Sequence, residues 1–211
     1  MKKLFIAGNW KSNKTIAEAK EWAEKISISN GDSTIVIFAP FITLGALHPF
    51  PFGLGAQNVS EFPEGAYTGE VNARQIREVA DWVIIGHSER RKYFNEADDM
   101  LQKKVDQAKK VGLKIIYCVP DDATIVPPGV DVVAYEPVWA IGTGKTDSPE
   151  NAQAVVATIK AKTQVATAIY GGSVTPENVA SFVSAPAIDG VLPGGASLDP
   201  EKFAALLRNV R

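Results

Sequence analysis

Glu136 carries a carboxylate that could exchange a proton with a substrate, provided that it is held in place and kept from bulk water. His87 adds an imidazole, Lys11 a cation and Asn9 a short amide. Two glycine-rich turns, Gly171-Gly172-Ser173 and Gly194-Gly195, offer backbone N–H groups of the kind that hold an anion such as phosphate. Proton transfer on a small phosphorylated molecule is chemistry that such a set can carry. Taken singly, each residue has a plainer reading. An acid at the end of a strand is usually salt-bridged, a lone histidine is usually structural, a lysine near the amino terminus is usually solvated, and glycine pairs punctuate turns.

Position separates the two readings, because each of these residues lies at or just beyond the end of a short apolar run. Eight such runs occur: Phe5–Asn9, Thr34–Ala39, Leu54–Asn58, Trp82–His87, Lys114–Val119, Asp131–Glu136, Ala166–Gly171 and Gly190–Gly194. They alternate with segments of helical period, as parallel βα units require. Helical spacing covers Thr15–Ile26 and Asp98–Val111, with Gly112 placed to cap the second, and a shorter helix is expected over Asn72–Ala80. Ser148-Pro149-Glu150, Thr175-Pro176-Glu177 and Asp199-Pro200-Glu201 each supply a capping side chain, a proline at the first helical position and an acid for the positive helix end. Two connections look reduced. Pro40–Gly53 contains Pro49 and Pro51, and Asp121–Val130 contains Pro127-Pro128 and is too short for a full helix.

Eight strands without a linker or a second composition regime favour one α/β domain over residues 1–211, a (β/α)8 TIM barrel with shortened outer helices, rather than an open doubly wound sheet. In such a barrel the carboxyl ends of the strands share one mouth, where Asn9, Lys11, His87, Glu136 and the glycine turns would meet. The length of 211 residues is close to the lower limit for this architecture. A net charge of −2, with 22 basic and 24 acidic side chains and no long run of either sign, speaks against nucleic-acid binding. Cys118 is the single cysteine, so no intrachain disulfide can form. Asn9-Trp10-Lys11 interrupts the first apolar run before signal-peptide length, and no apolar stretch approaches membrane-spanning length. A cytoplasmic protein, with no nucleic-acid and no membrane partner, is expected.

Seven blocks in order resemble the triosephosphate isomerase family. They are Gly8-Asn9-Trp10-Lys11, Ala56-Gln57-Asn58, Gly65–Glu70, Ile85–Arg91, Tyr135–Lys145, Tyr170–Val174 and Gly194–Leu198. The resemblance implies interconversion of dihydroxyacetone phosphate and D-glyceraldehyde 3-phosphate through an enediolate, in glycolysis and gluconeogenesis, with no metal or organic cofactor. It makes Glu136 the base and His87 the neutral electrophile at the substrate carbonyl. Lys11 supplies positive charge to the enediolate, and Asn9 helps to place the substrate. Glu89 either orients Lys11 or simply begins a helix. Gly142, Ser173, Gly194 and Gly195 become the substrate-phosphate donors, and Pro137–Lys145 a loop that closes over the site. The family also associates through the segment here at Gln57–Glu70, with Thr68 near its tip, so at least a homodimer is implied, a tetramer being the alternative.

Two departures are visible. The family usually has a longer segment with a helix after the fifth strand, where this chain has the compact proline-rich link, and Pro193 precedes Gly194 where a residue with an N–H is usual. Pro193 leaves the Gly194 amide intact. Rival readings fare worse. Gly144-Lys145-Thr146 resembles the end of a nucleotide-binding loop, but Trp139 stands where that motif needs glycine. An imine-forming aldolase would end its sixth strand in lysine rather than Glu136. A non-catalytic relative is a third reading, against which intact Lys11, His87 and Glu136 argue.

Overall fold

The computed structural model describes residues 2–26, 33–139 and 146–210. Eight parallel strands close into a barrel in sequence order: β1 (Phe5–Asn9), β2 (Thr34–Ala39), β3 (Gly53–Ala56), β4 (Trp82–Ile85), β5 (Lys114–Val119), β6 (Val132–Tyr135), β7 (Thr167–Tyr170) and β8 (Gly190–Val191). The ring closes where Phe5 pairs with Gly190 and Ile6 with Val191. Although β8 is short, the ladder runs on through Leu192 N–H to the Tyr170 carbonyl (2.8 Å) and Asn9 N–H to the Pro193 carbonyl (2.9 Å), so Pro193 is accommodated as an acceptor.

Alternation along the strands sorts the side chains into two layers. Phe5, Ala7, Val36, Phe38, Ile84, Ile116, Cys118, Ala134 and Ile169 fill the barrel interior. Their neighbours, among them Ile6, Ile37, Val83, Tyr117, Val133 and Tyr170, form the larger layer beneath the helices. Because both faces of every strand are buried, the strands read as continuous apolar runs rather than alternating ones.

The helices begin where their caps predict. Thr15 and Glu18 form a capping box at α1 (Ile16–Lys25), and Asn72 and Gln75 form another at α3 (Ala73–Arg77). Ser148 caps α6 (Pro149–Thr163) and Asp199 caps α8 (Pro200–Asn209), each with proline in the first turn. The helix α5 (Asp98–Lys110) lies within the expected range, whereas α7 (Val179–Val183) is brief and starts after Thr175-Pro176-Glu177. One connection departs from expectation. Pro40–Gly53 contains α2 (Phe41–Leu47) ahead of its prolines, and Thr43, Leu44 and Leu47 are buried on one face of it.

Between β5 and β6 no helix is present among the described residues. The outward residues Tyr117, Val119, Val133 and Tyr135 are nevertheless buried, and Val126 and Val130 of the proline-rich link pack against this layer. Lysines from both flanking helices fasten the link: Lys109 Nζ donates to the Pro128 carbonyl (3.0 Å) and Lys162 Nζ to the Asp122 carbonyl (2.7 Å). A strap has replaced a helix on this side of the barrel.

The helix α4 (Ser88–Phe94) follows β4 directly and is tied down by a buried ionic cluster. Glu96 Oε1 accepts from Arg90 Nε (2.5 Å) and from Lys104 Nζ, and Lys104 also reaches Asn58 Oδ1 (2.7 Å) beyond β3. Removing one member strands a buried charge, which typically costs about 3–5 kcal/mol. Lys104→Met is therefore expected to lower the denaturant midpoint strongly at an unchanged m-value, as read by urea unfolding.

Candidate active site

At the carboxyl end of the barrel a cavity of about 450 Å3 is lined by Asn9, Lys11, His87, Glu136, Gly171–Ser173, Leu192, Gly194 and Gly195, among others. It gathers Asn9, Lys11, His87, Glu136, Ser173, Gly194 and Gly195 as the sequence led one to expect, whereas Gly142 lies outside the described residues, as does most of the Pro137–Lys145 loop.

Glu136 follows the last residue of β6 and is 1% exposed. Its backbone N–H continues the ladder to the Val119 carbonyl (2.8 Å), which fixes the direction of the side chain. Oε2 accepts from the Ser88 N–H (2.9 Å), and Oε1 lies 3.2 Å from His87 Nε2. A Cβ on Gly171 would stand 2.9 Å from Glu136 Cγ, so glycine at the end of β7 is what gives the carboxylate its room. On its other flank Glu136 meets the Cys118 thiol. Burial, and then the charge of Glu136, push that thiol well above its ordinary value, leaving it protonated and inert beside the base.

His87 occupies the turn from β4 into α4 and serves as the N-cap of that helix. Gly86 makes the turn at φ +75°, a conformation costly for other residues, and a Cβ there would also press to 3.3 Å against the Cys118 carbonyl. The Glu89 N–H points at His87 Nδ1 (3.2 Å). An Nδ1 that accepts carries no proton, so in this arrangement the ring bears its hydrogen on Nε2, the nitrogen nearest Glu136 and the cavity.

Lys11 has left-handed backbone geometry (φ 52°), a strained state for a long side chain that persists where surroundings over-determine it. Three contacts do so. Its N–H donates to Asn9 Oδ1 (3.0 Å), its carbonyl accepts from Gln57 Nε2 (2.9 Å), and its Nζ pairs with Glu89 Oε1 (2.5 Å). Glu89 thus does both things that its sequence position allowed: it opens α4 and it orients the lysine. Beside them Gly194, where an added Cβ would stand 3.1 Å from Lys11 Cε, caps a single 3-10 turn (Gly195–Ser197) that follows the last strand. Trp10 anchors this turn to β1 through Nε1 and the Ser197 carbonyl (3.1 Å).

Three residues act in this geometry in ways the sequence did not announce. Ser88 acts through its backbone N–H, which no side-chain pattern announces, and Gly171 acts through an absent Cβ. Gln57, which holds Lys11, had a usable signal, being a polar residue at the end of the third apolar run.

The profile of the triosephosphate isomerase family matches residues 4–126 and 127–210, dividing within the β5–β6 strap. Proteins named triosephosphate isomerase from Picosynechococcus sp. and Trichodesmium erythraeum are 39% identical over 241 aligned positions and 40% over 238. The first alignment covers all of both chains, and the second covers 98% of this chain and 99% of its relative. One from Halorhodospira halophila is 40% identical over 242 positions, covering 98% and 97%. An alignment of 241 positions against a chain of 211 residues leaves about 30 positions without a counterpart here. With a full-length match and a closed eight-stranded barrel, the chain belongs to the triosephosphate isomerase family.

Proposed function

We propose that the mouth of this barrel carries out the family's reaction, interconverting dihydroxyacetone phosphate and D-glyceraldehyde 3-phosphate, with Glu136 moving the proton between adjacent carbons. His87 donates from Nε2 to the substrate oxygen, and Lys11 offsets the negative charge that develops on the enediolate. Asn9 fixes the position of Lys11 and of the substrate, while Gly142, Ser173, Gly194 and Gly195 donate backbone or hydroxyl hydrogens to the phosphate. The observation that carries this reading is the buried Glu136 carboxylate 3.2 Å from His87 Nε2 in a cavity shared with Lys11. Neither group forms a covalent bond to the substrate, and no metal or organic cofactor takes part. The place of such a protein is the cytoplasm, in glycolysis and gluconeogenesis.

The segment from Gln57 to Glu70 is the surface we assign to a homodimer, a tetramer being the alternative. Phe62 and Tyr67 stack there with ring centroids 4.2 Å apart and stay 37% and 40% exposed, and Thr68 beside them is exposed. Aromatic area held rigid outside the core is the usual material of an interface centre.

A coupled assay on the purified protein tests the reaction. Turnover of dihydroxyacetone phosphate that survives a chelator is expected, and borohydride should trap no adduct. Tight binding of a phosphate ligand without turnover would overturn the reading. Sedimentation of the wild type beside Tyr67→Arg checks the assembly, with the variant expected at half the mass.

A further inference from the structure

Asp147 stands where the connection leaving Glu136 returns to the barrel, and its 5% exposure is unusual for a carboxylate without a cationic partner among the described residues. Its oxygens are instead filled by neutral donors. Oδ1 accepts from the Ser148 N–H (2.8 Å), and Oδ2 accepts from Asn151 Nδ2 (2.7 Å) and from the Tyr135 hydroxyl (3.3 Å). The backbone N–H of Asp147 donates to the Tyr170 hydroxyl (3.0 Å), which also meets Thr146 Oγ1 (3.2 Å). One residue thereby clasps two tyrosines and the first turn of α6.

Those tyrosines have informative positions. Tyr135 ends β6 immediately before Glu136, and Tyr170 ends β7 immediately before Gly171, the residue whose missing Cβ makes room for Glu136. Because strand residues alternate in direction, the outward tyrosine and the inward neighbour share one backbone, so fixing the first restrains the second. Burial, and then the Asp147 charge, push the Tyr135 phenol well above its ordinary value, so it remains a donor throughout the working pH range.

We propose that Asp147 is a positioning residue for the reaction, its carboxylate locking the ends of β6 and β7 against α6 and so fixing the distance of Glu136 from the substrate carbon. The proposal rests on the reading of Glu136 as the base. A base misplaced by about 1 Å can lose on the order of 100-fold in rate. Freed of the clasp, Glu136 abstracts the proton more slowly, while substrate binding by Lys11 and the glycine turns is left in place.

The test compares wild type, Asp147→Ala, Asp147→Asn and Tyr135→Phe, with dihydroxyacetone phosphate carrying hydrogen or deuterium at the carbon that loses the proton. Expected are a fall in kcat of about 10–100-fold in Asp147→Ala with KM within a few-fold, and a larger deuterium isotope effect as proton abstraction becomes limiting. Asp147→Asn keeps one acceptor oxygen at the same size and should lie between, and it stands in should the alanine variant fail to fold. Tyr135→Phe should shift the isotope effect in the same direction. A purely structural role would lower the unfolding midpoint and the folded fraction, yet leave the isotope effect per folded site unchanged, and that result overturns the proposal. Wild-type turnover beside unaltered Asp147 variants defeats this inference alone, whereas absence of wild-type turnover defeats the isomerase reading and this inference with it.

Discussion

Glu136→Gln is expected to lower kcat by about 100- to 10,000-fold, the range that a positioned general base supplies, while KM moves far less. Each factor of ten corresponds to about 1.36 kcal/mol of barrier. The substitution is close to a pure test of basicity because the amide keeps the size of the carboxylate. Its oxygen can still accept from the Ser88 N–H, the contact that holds Oε2 now at 2.9 Å. The contact with Cys118 survives as well, and the space opened by Gly171 is unchanged. Only the His87 side changes, where the amide NH2 would meet the Nε2–H across the present 3.2 Å, so a modest fall in the thermal midpoint is expected, and a loss of rate far beyond it reports on proton transfer rather than on collapse of the mouth. Steady-state kinetics in both directions would measure it, and a variant as fast as the wild type would remove Glu136 from the mechanism.

Lys11→Met should have the second-largest effect, a fall in kcat/KM of about 100- to 1,000-fold, the usual cost of losing one donor aimed at a developing oxyanion. The lysine is held in left-handed backbone geometry by Asn9 and Gln57 through main-chain contacts, which methionine leaves untouched. Its ion pair with Glu89 is only partly shielded, the two side chains being 29% and 36% exposed, so an unpaired Glu89 can turn to water at little cost in stability. Rate and stability should consequently separate: the variant folds and barely turns over. A salt series offers a check, since an exposed lysine acting only by long-range attraction would lose its influence at high ionic strength.

Much of this was legible in the residues. Asn9, His87 and Glu136 are polar groups at the ends of otherwise apolar runs, and runs buried on both faces announce the strands of a parallel barrel. The Ser-Pro-Glu and Asp-Pro-Glu starts located α6 and α8 to within a residue, because capping chemistry is local. What stayed hidden depends on groups without a side-chain signature. The Ser88 N–H that holds Glu136 is backbone, and the demand for glycine at 171 arises only when β7 is laid beside β6. The helix α2 was concealed by Pro49 and Pro51, which follow it and govern only what comes after. The strap between β5 and β6 could be read as short, but its success in covering Tyr117 and Val133 depends on Lys109 and Lys162 arriving from two helices distant in sequence. Asp147 was invisible for the same reason: its partners Tyr135 and Tyr170 come from different strands.

The most direct test of the central claim, that Glu136 carries the proton between substrate carbons, is proton NMR of dihydroxyacetone phosphate incubated with the protein in deuterium oxide. Wild type should place deuterium on the reacting carbons as it forms glyceraldehyde 3-phosphate, and Glu136→Gln should lose exchange and isomerisation together. Exchange at the wild-type rate in Glu136→Gln would contradict the account.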